Sequence, residues 1–385
     1  MKIALIVPGF SARERDWCIP ALLDFVRVLA REDEVCVFAL RYPETPEPYE
    51  VYGARVVPLA GGPHAGLRRY PLLARARSAV VSAHALKPFD VIHAIWADEP
   101  GWVGLGAAAR LELPLVVSVR GGELEHRPAE RYGARRSWFG RVAVDRSLRH
   151  ADRWTAASKY MMERVWTHVS SLDPKCGVLA PAGVDLQQFS PDDYVRPRPL
   201  VLSVASLTPI KQLDLLVRAF RTVRDRRPDA ELHLIGGGPL RETLARERDS
   251  LGLHECVVLH GACRREELPA WYRQAALTVV ASHHEAQCLA AVEAAACGCP
   301  VVGFGVGIVP ELGAGARVVF ERSEPALASG ILGLLDHEDA RRAMGTRARA
   351  AAEHLFDLEQ SVARIRGVYA EALAQRARRA VRISA

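Results

Sequence analysis

Glu285 and Glu293 are the side chains with the clearest chemical potential in this chain. They bracket the run Glu285-Ala-Gln-Cys-Leu-Ala-Ala-Val-Glu293, which continues Ala-Ala-Ala-Cys-Gly298-Cys-Pro300-Val-Val. An apolar strand and the short turn Ala281-Ser282-His283-His284 precede the run. Glu285 is therefore expected in a turn and Glu293 early in a helix. The free N–H groups and positive dipole end of a helix start attract anions. Two carboxylates beside such a phosphate-binding start suit polyol recognition, since they accept hydrogen bonds from ribose and sugar hydroxyls. Taken alone, the pair reads equally well as acids solvating a helix start.

Other candidates come from loops that follow apolar strands. Lys211, in Leu207-Thr-Pro-Ile-Lys211, is either a solvated lysine at a helix start or a cation that offsets charge on a departing diphosphate. Gly236, Gly237 and Gly238 make either a tight strand-to-helix turn or a place where backbone approaches a nucleotide closely. Gly9 ends the first apolar run and reads as a plain turn on its own. Asp192-Asp193 and His337-Glu-Asp339 do not follow apolar strands, and no Cys/His spacing fits a metal, so no metal is expected.

The elements that must position these residues alternate between short strands and amphipathic helices. Strands are expected at Ile3–Val7, Glu34–Leu40, Val56–Leu59, Val91–Ile95 and Leu115–Val119, with a helix over 19–31. After the proline-rich stretch 190–199 the pattern restarts, with strands at Leu200–Val204, Glu231–Ile235, Val257–Leu259, Leu277–Val280 and Pro300–Gly303 and a helix over 212–225. A last helical stretch runs from Asp357 to about Arg379. Such alternation implies parallel sheets covered on both faces. With 385 residues, two domains of nearly equal length are expected.

Composition narrows the function classes. Hydrophobic residues at 49% and charged residues at 25% exclude disorder as the main state. A net charge of +6 favours anionic partners: nucleotide phosphates, acidic lipid or nucleic acid. The eight cysteines form no Cys-x-x-Cys pair, which suits reduced, buried thiols in a cytoplasmic protein. The N-terminal apolar run is too short for a signal-peptide core, and no run of about 18 apolar residues suggests a membrane span.

Taken together and in order, these motifs resemble the retaining GT-B glycosyltransferases of the family-4 type. The signature is the glutamate, seven residues, the second glutamate, then Ala-Cys-Gly-x-Pro-Val-Val. Further landmarks are Pro181-Ala-Gly183-Val184-Asp185, the Lys211 loop, Gly236 to Gly238, His260-Gly261 and Gly305-Val-Gly307-Ile-Val-Pro310-Glu311. The resemblance implies two facing Rossmann-like domains with a deep interdomain cleft: 1–192 on the acceptor side, 193–356 holding a nucleotide sugar, and 357–385 as a helix crossing back to the first. It implies metal-independent transfer of a sugar from a UDP-, GDP- or ADP-sugar to a sugar or lipid-linked hydroxyl, in polysaccharide or glycolipid synthesis. Lys211 would stabilise the leaving diphosphate, Glu285 the donor-sugar hydroxyls and Glu293 the ribose hydroxyls. Amides around Cys288, Leu289 and Ala290 would meet phosphate or sugar, and Gly9 would face the donor. No cofactor is implied.

The sequence departs from that pattern at several places. Ala205-Ser206 stands where the family has Gly-Arg, and Ala286-Gln287-Cys288 where it has a glycine-rich turn. Arg120, followed by Gly121-Gly122-Glu123, stands where a histidine often contacts the donor sugar. Ser206 and Arg120 thus bear on one problem, the charge of the leaving group. Arg120 could supply the missing cation, or it could pair with Glu123 or Glu125. Two other functions fit the same fold: a sugar-nucleotide epimerase, and a non-catalytic sugar- or nucleotide-binding subunit. A dehydrogenase is disfavoured, because no Gly-x-Gly-x-x-Gly follows the first strand.

Two segments of the first half interleave arginines with aromatics. Residues 127–149 carry Arg127, Arg131, Arg135, Arg136, Arg141, Arg146 and Arg149 with Tyr132, Trp138 and Phe139. Arg68, Arg69, Arg75 and Arg77 lie near Tyr70, Leu72 and Leu73. This is the chemistry of peripheral contact with an anionic membrane face, or of a solvated surface with aromatics packed inward. No recognised motif points to nucleic acid.

Overall fold

The first strand, β1 (Lys2–Gly9), is apolar and fully buried from Ile3 to Val7, as a central parallel strand must be. The computed structural model to which it belongs describes residues 1–14, 16, 18–62, 66, 69–192 and 199–384, with side chains to Arg378. Arg68, Asp193 and most of the 190–199 linker lie outside the described residues.

Packing divides the chain into two units. The first holds Met1–Pro128, Tyr132–Gly183 and Leu358–Ala385; the second holds Ala129–Arg131 and Val184–Asp357. The sequence reading put the first boundary at 192/193. The difference arises because residues just after Gly183 pack with the second unit: Val184 bridges to Asp357, and Phe189 is buried beside Tyr272.

In the first unit the strands are β1, β2 (Glu34–Tyr42), β3 (Tyr49–Val51), β4 (Ala54–Pro58), β5 (Val91–Ile95), β6 (Leu115–Val119), β7 (Arg153–Ala156) and β8 (Gly177–Leu179). Their order in the sheet is β3-β4-β2-β1-β5-β6-β7-β8. All pair parallel except β3, which runs antiparallel to β4 at one edge, a departure from the all-parallel expectation. Its three residues alternate too briefly to give a sequence signal. β1 passes through Pro8 rather than stopping there, and its register to β2 shifts between Val7 and Gly9, where the proline lacks an N–H. The helices are α1 (Pro20–Leu29), α2 (Arg69–Leu86), α3 (Glu99–Leu111), α4 (Trp138–His150) and α5 (Lys159–His168).

The second unit has β9 (Leu200–Val204), β10 (Glu231–Ile235), β11 (Val257–Gly261), β12 (Leu277–Val280), β13 (Val301–Phe304) and β14 (Ala316–Val319), all parallel, in the order β11-β10-β9-β12-β13-β14. Its helices are α6 (Leu213–Arg226), α7 (Arg241–Ser250), α8 (Leu268–Gln274), α9 (Leu289–Ala296), α10 (Glu324–Leu335) and α11 (Glu338–Leu355). The chain then forms α12 (Leu358–Ser384). Val362, Ile365, Val368, Tyr369 and Ala372 recur at helical spacing on one face of α12 and are buried in the first unit's core, which returns this helix to that unit.

α12 is also tied to the sheet by a buried polar chain. The Tyr369 hydroxyl lies 2.7 Å from His93 Nδ1, His93 Nε2 lies 2.8 Å from Ser118 Oγ, and Ser118 Oγ lies 2.7 Å from Thr155 Oγ1. These side chains come from α12, β5, β6 and β7, and all four are fully buried. Burial, and then the nearby Arg120, lower the His93 pKa to about 3, so the imidazole is neutral.

Candidate functional site

In the second unit the connections leave β9 toward one side of the sheet and β12 toward the other. The carboxyl ends of these adjacent strands form a topological switch point, the usual place for a ligand in an open α/β sheet. Lys211 follows β9 and Glu285 follows β12. The Lys211 ammonium donates to Glu285 Oε1 at 2.6 Å, and Ser282 Oγ donates to the same oxygen at 2.6 Å. Residues 74 apart in sequence thus meet in one partly buried cluster. Burial alone would lower the lysine's pKa; the adjacent Glu285 carboxylate outweighs it and holds the ammonium above its usual value.

Backbone geometry fixes this cluster. Pro209–Lys211 forms a 3₁₀ turn, and Gln212 turns left-handed (φ 47°) before α6 begins. The His283 amide donates to Ile210 O at 2.8 Å, joining the lysine loop to the glutamate turn. Leu207 N donates to Gly237 O at 2.9 Å, joining it to the glycine turn after β10. A Cβ on Gly236 would lie 1.8 Å from Ala205 O, and one on Gly238 2.5 Å from Leu207 O; both glycines also have positive φ. These two are required by packing. Gly237 has no such constraint: a Cβ there would meet only Ala262 Cβ at 3.7 Å.

α9 starts at the same corner. Its N-cap Cys288 has φ 75°, where the sequence pattern usually carries glycine, and makes no side-chain cap. By helix geometry the amides of Leu289 and Ala290 have no intrahelical acceptor. Burial, and then Glu285, push the Cys288 thiol far above its usual range, so it stays protonated. Glu293, a turn further on, is buried; it accepts from the Tyr272 hydroxyl at 3.1 Å and lies 3.5 Å from the Arg265 guanidinium. Ser206 is exposed, with its hydroxyl 3.4 Å from that of Thr208.

The first unit positions Gly9 and Arg120. Gly9 ends β1, packed against Cys18 and Tyr42. Arg120 follows β6. Glu123 accepts the backbone amides of Arg120 and Gly121 at 2.9 and 2.6 Å, while Glu125 pairs with Arg127 and Arg164. Neither carboxylate pairs with the Arg120 side chain, and its buried Nη1 has no hydrogen-bond partner among the described residues. Burial lowers its pKa to about 10, and Glu123 opposes the shift.

Sequence reasoning missed Ser282, Arg265, Tyr272 and Arg322. Arg322 donates to Gln212 Oε1 at 2.8 Å and to Ser282 O at 3.0 Å and lies over the Phe304 ring at 4.2 Å, bracing the turn. It sits in no recognisable motif. Ser282 adjoins the glutamate run and was the one with a usable signal. Among the described residues, no group of three His, Cys, Asp or Glu side chains could hold a metal ion.

Comparison with known proteins accords with this geometry. The profile of Glycosyl transferases group 1 matches residues 189–351, and that of Glycosyltransferase Family 4 matches residues 21–188. The chain is 31% identical over 338 residues to a D-inositol 3-phosphate glycosyltransferase of Kineococcus radiotolerans, covering 78% of this chain and 77% of that one. It is 32% identical over 272 residues to a GDP-mannose-dependent alpha-(1-6)-phosphatidylinositol monomannoside mannosyltransferase of Mycolicibacterium smegmatis, covering 64% and 70%. Its fold is similar to that of sucrose-phosphate synthase from Thermosynechococcus elongatus, with a TM-score of 0.82 at 23% identity over 97% of this chain and 99% of that one. Two Rossmann-like α/β units, the ordered motifs and these relatives lead to one assignment: the chain belongs to the family-4 type of GT-B glycosyltransferases.

Proposed function

We propose that this glycosyltransferase works with retention of configuration and without a metal, transferring a sugar from a nucleoside-diphosphate donor to a sugar or lipid-linked hydroxyl in polysaccharide or glycolipid synthesis. The observation that carries the reading is the Lys211–Glu285–Ser282 cluster beside the α9 start at the switch point. Lys211 offsets charge as the glycosyl–phosphate bond breaks. Glu285 receives donor-sugar hydroxyls, Glu293 receives ribose hydroxyls, and the Leu289 and Ala290 amides receive phosphate oxygens. Gly237 leaves room for close backbone approach, and Ser206 completes the second unit's donor-binding set. The acceptor's proton passes to the leaving diphosphate as the glycosidic bond forms. The test is incubation with UDP-, GDP- and ADP-sugars and candidate acceptors in EDTA, with the product anomer read by NMR. Donor-anomer configuration in the product, formed at an undiminished rate in EDTA, is expected. An inverted product, or activity restored only by Mg²⁺ or Mn²⁺, contradicts the reading.

Arg120 is proposed to supply the cation that Ser206 does not. A serine hydroxyl donates one hydrogen bond, whereas a guanidinium donates up to five. Arg120→Ala is expected to lower kcat about tenfold, equivalent to about 1.4 kcal/mol. Adding Ser206→Arg is expected to restore part of that loss. Unchanged kcat and donor KM in Arg120→Ala return the residue to a structural role.

The first unit is proposed to meet an anionic membrane face. Trp138 and Tyr70 are 68% and 46% exposed, and Tyr70 packs edge-on against Phe139 at 5.8 Å. Arg69 lies over the Phe139 ring at 4.8 Å. The two arginine-aromatic segments thus share one surface, although Arg127, Arg135 and Arg149 are engaged with acids. Co-sedimentation with anionic vesicles should exceed that with neutral vesicles, and Trp138→Ala should reduce it. Equal recovery from both vesicle types rejects the contact. No helix among the described residues is long and apolar enough to cross a membrane.

A further inference from the structure

We propose that Arg265 and Tyr272 are positioning residues that aim the Glu293 carboxylate, and so set the second unit's preference for ribose over 2′-deoxyribose. The inference rests on the reading of Glu293 as the ribose acceptor and adds what makes that acceptor selective.

A carboxylate selects a vicinal diol only when both its oxygens are fixed. Glu293 lies within α9, and its side chain is 8% exposed. Its two oxygens meet different elements. Oε1 lies 3.5 Å from Arg265 Nη2, in the 3₁₀ turn Arg265–Glu267 after β11. Oε2 accepts from the Tyr272 hydroxyl at 3.1 Å, on α8. A carboxylate offers about four acceptor directions, and contacts on opposite oxygens orient it.

Both partners are themselves held. Tyr272 is fully buried, and burial together with the Glu293 charge keeps its hydroxyl protonated and donating. The Arg265 side chain is 3% exposed and lies over the Phe189 ring at 5.4 Å. Phe189 is fully buried, with its ring 6.3 Å from that of Tyr272. Arg349 in turn donates to Phe189 O at 2.9 Å, and Arg273 donates to Ser190 O at 2.7 Å. The carboxylate is therefore held by one hydrogen bond, from Tyr272, and one charge contact, with Arg265, and both partners are fixed by packing. A buried arginine and glutamate would be an expensive pair to keep for stability alone, since desolvation cancels much of their attraction.

The test compares binding of UDP with 2′-deoxy-UDP, and of GDP with 2′-deoxy-GDP, by calorimetry. The wild-type chain should prefer the ribonucleotide of the bound pair by about tenfold or more, the scale of a hydrogen bond to a charged group. Glu293→Gln should abolish the preference; if it does not, the ribose reading of Glu293 itself fails. Tyr272→Phe keeps the ring and removes only the hydroxyl, and Arg265→Gln removes the charge that faces Glu293 Oε1. Each should cut the preference to about threefold or less while leaving deoxynucleotide affinity within about twofold. A general loss of fold would weaken both nucleotides together and is checked by the melting temperature. If both variants keep the wild-type preference while Glu293→Gln loses it, the positioning role is overturned and the cluster is structural.

Discussion

Lys211→Ala is expected to lower kcat by about 10²–10³-fold, the usual loss when one preorganised donor to a developing negative charge is removed. The magnitude follows from where Lys211 sits. Its ammonium is partly buried, already desolvated, and held 2.6 Å from Glu285 by a turn whose backbone is joined to the glutamate loop. On the proposed role, the ammonium meets the departing diphosphate without reorganisation. Alanine also leaves Glu285 with the Ser282 hydroxyl as its remaining short contact at Oε1, so donor KM should rise as well. A double-mutant cycle with Glu285→Gln separates the two effects, because the residues touch and their costs should not add. Steady-state kinetics that place kcat of Lys211→Ala within about threefold of wild type would remove Lys211 from the chemistry.

Tyr369→Ala is expected to destabilise the first unit by about 3–5 kcal/mol, the cost of deleting a buried aromatic ring. Tyr369→Phe keeps the ring but leaves His93 Nδ1 buried without its partner, at about 1–3 kcal/mol. Acid should act on the same chain of contacts. In the folded protein His93 takes a proton only at about pH 3, while an unfolded histidine takes it near 6.5. The unfolded state therefore binds the proton first. This contribution to stability is full above about pH 6.5 and is lost as pH falls toward 3, by up to about 1.4 kcal/mol per unit. Urea denaturation at several pH values checks both points. A Tyr369→Phe midpoint equal to wild type would show that the hydroxyl carries no stabilising bond.

How much of this was legible in the residues depends on range. β5, β6, β9 and β12 coincide with largely apolar runs, because a strand buried on both faces needs little else to announce it, and β10 (Glu-Leu-His-Leu-Ile) shows instead by alternation. β7 (Arg153-Trp-Thr-Ala), β8 and β14 were not foreseen. Each is three or four residues long and mixes charged, polar or glycine positions with apolar ones. The glutamates, the lysine and the glycine turn were recognisable from type and order. What order could not give was pairing: that Lys211 reaches Glu285 across 74 residues, or that Glu293 is turned into the interior against Arg265 and Tyr272. The alternatives left open at the glycines separated once neighbours were visible, with Gly236 and Gly238 demanded by adjacent carbonyls and Gly237 not.

The return of α12 to the first unit has a consequence for how the chain is made. A ribosome delivers about 5–20 residues per second, and domains usually fold in the order they emerge. Here the second unit, apart from residues 129–131, is one unbroken stretch, Val184–Asp357, whereas the first is completed only by Leu358–Ala385. The earlier half therefore waits while the intervening stretch is synthesised, roughly ten to thirty seconds at that speed. During that interval Ile3, Val26 and Val91 have no Ile365 or Val368 to cover their shared core. A nascent chain arrested before Leu358 should carry a protease-resistant later half and an earlier half that is still cut, the reverse of the usual vectorial order.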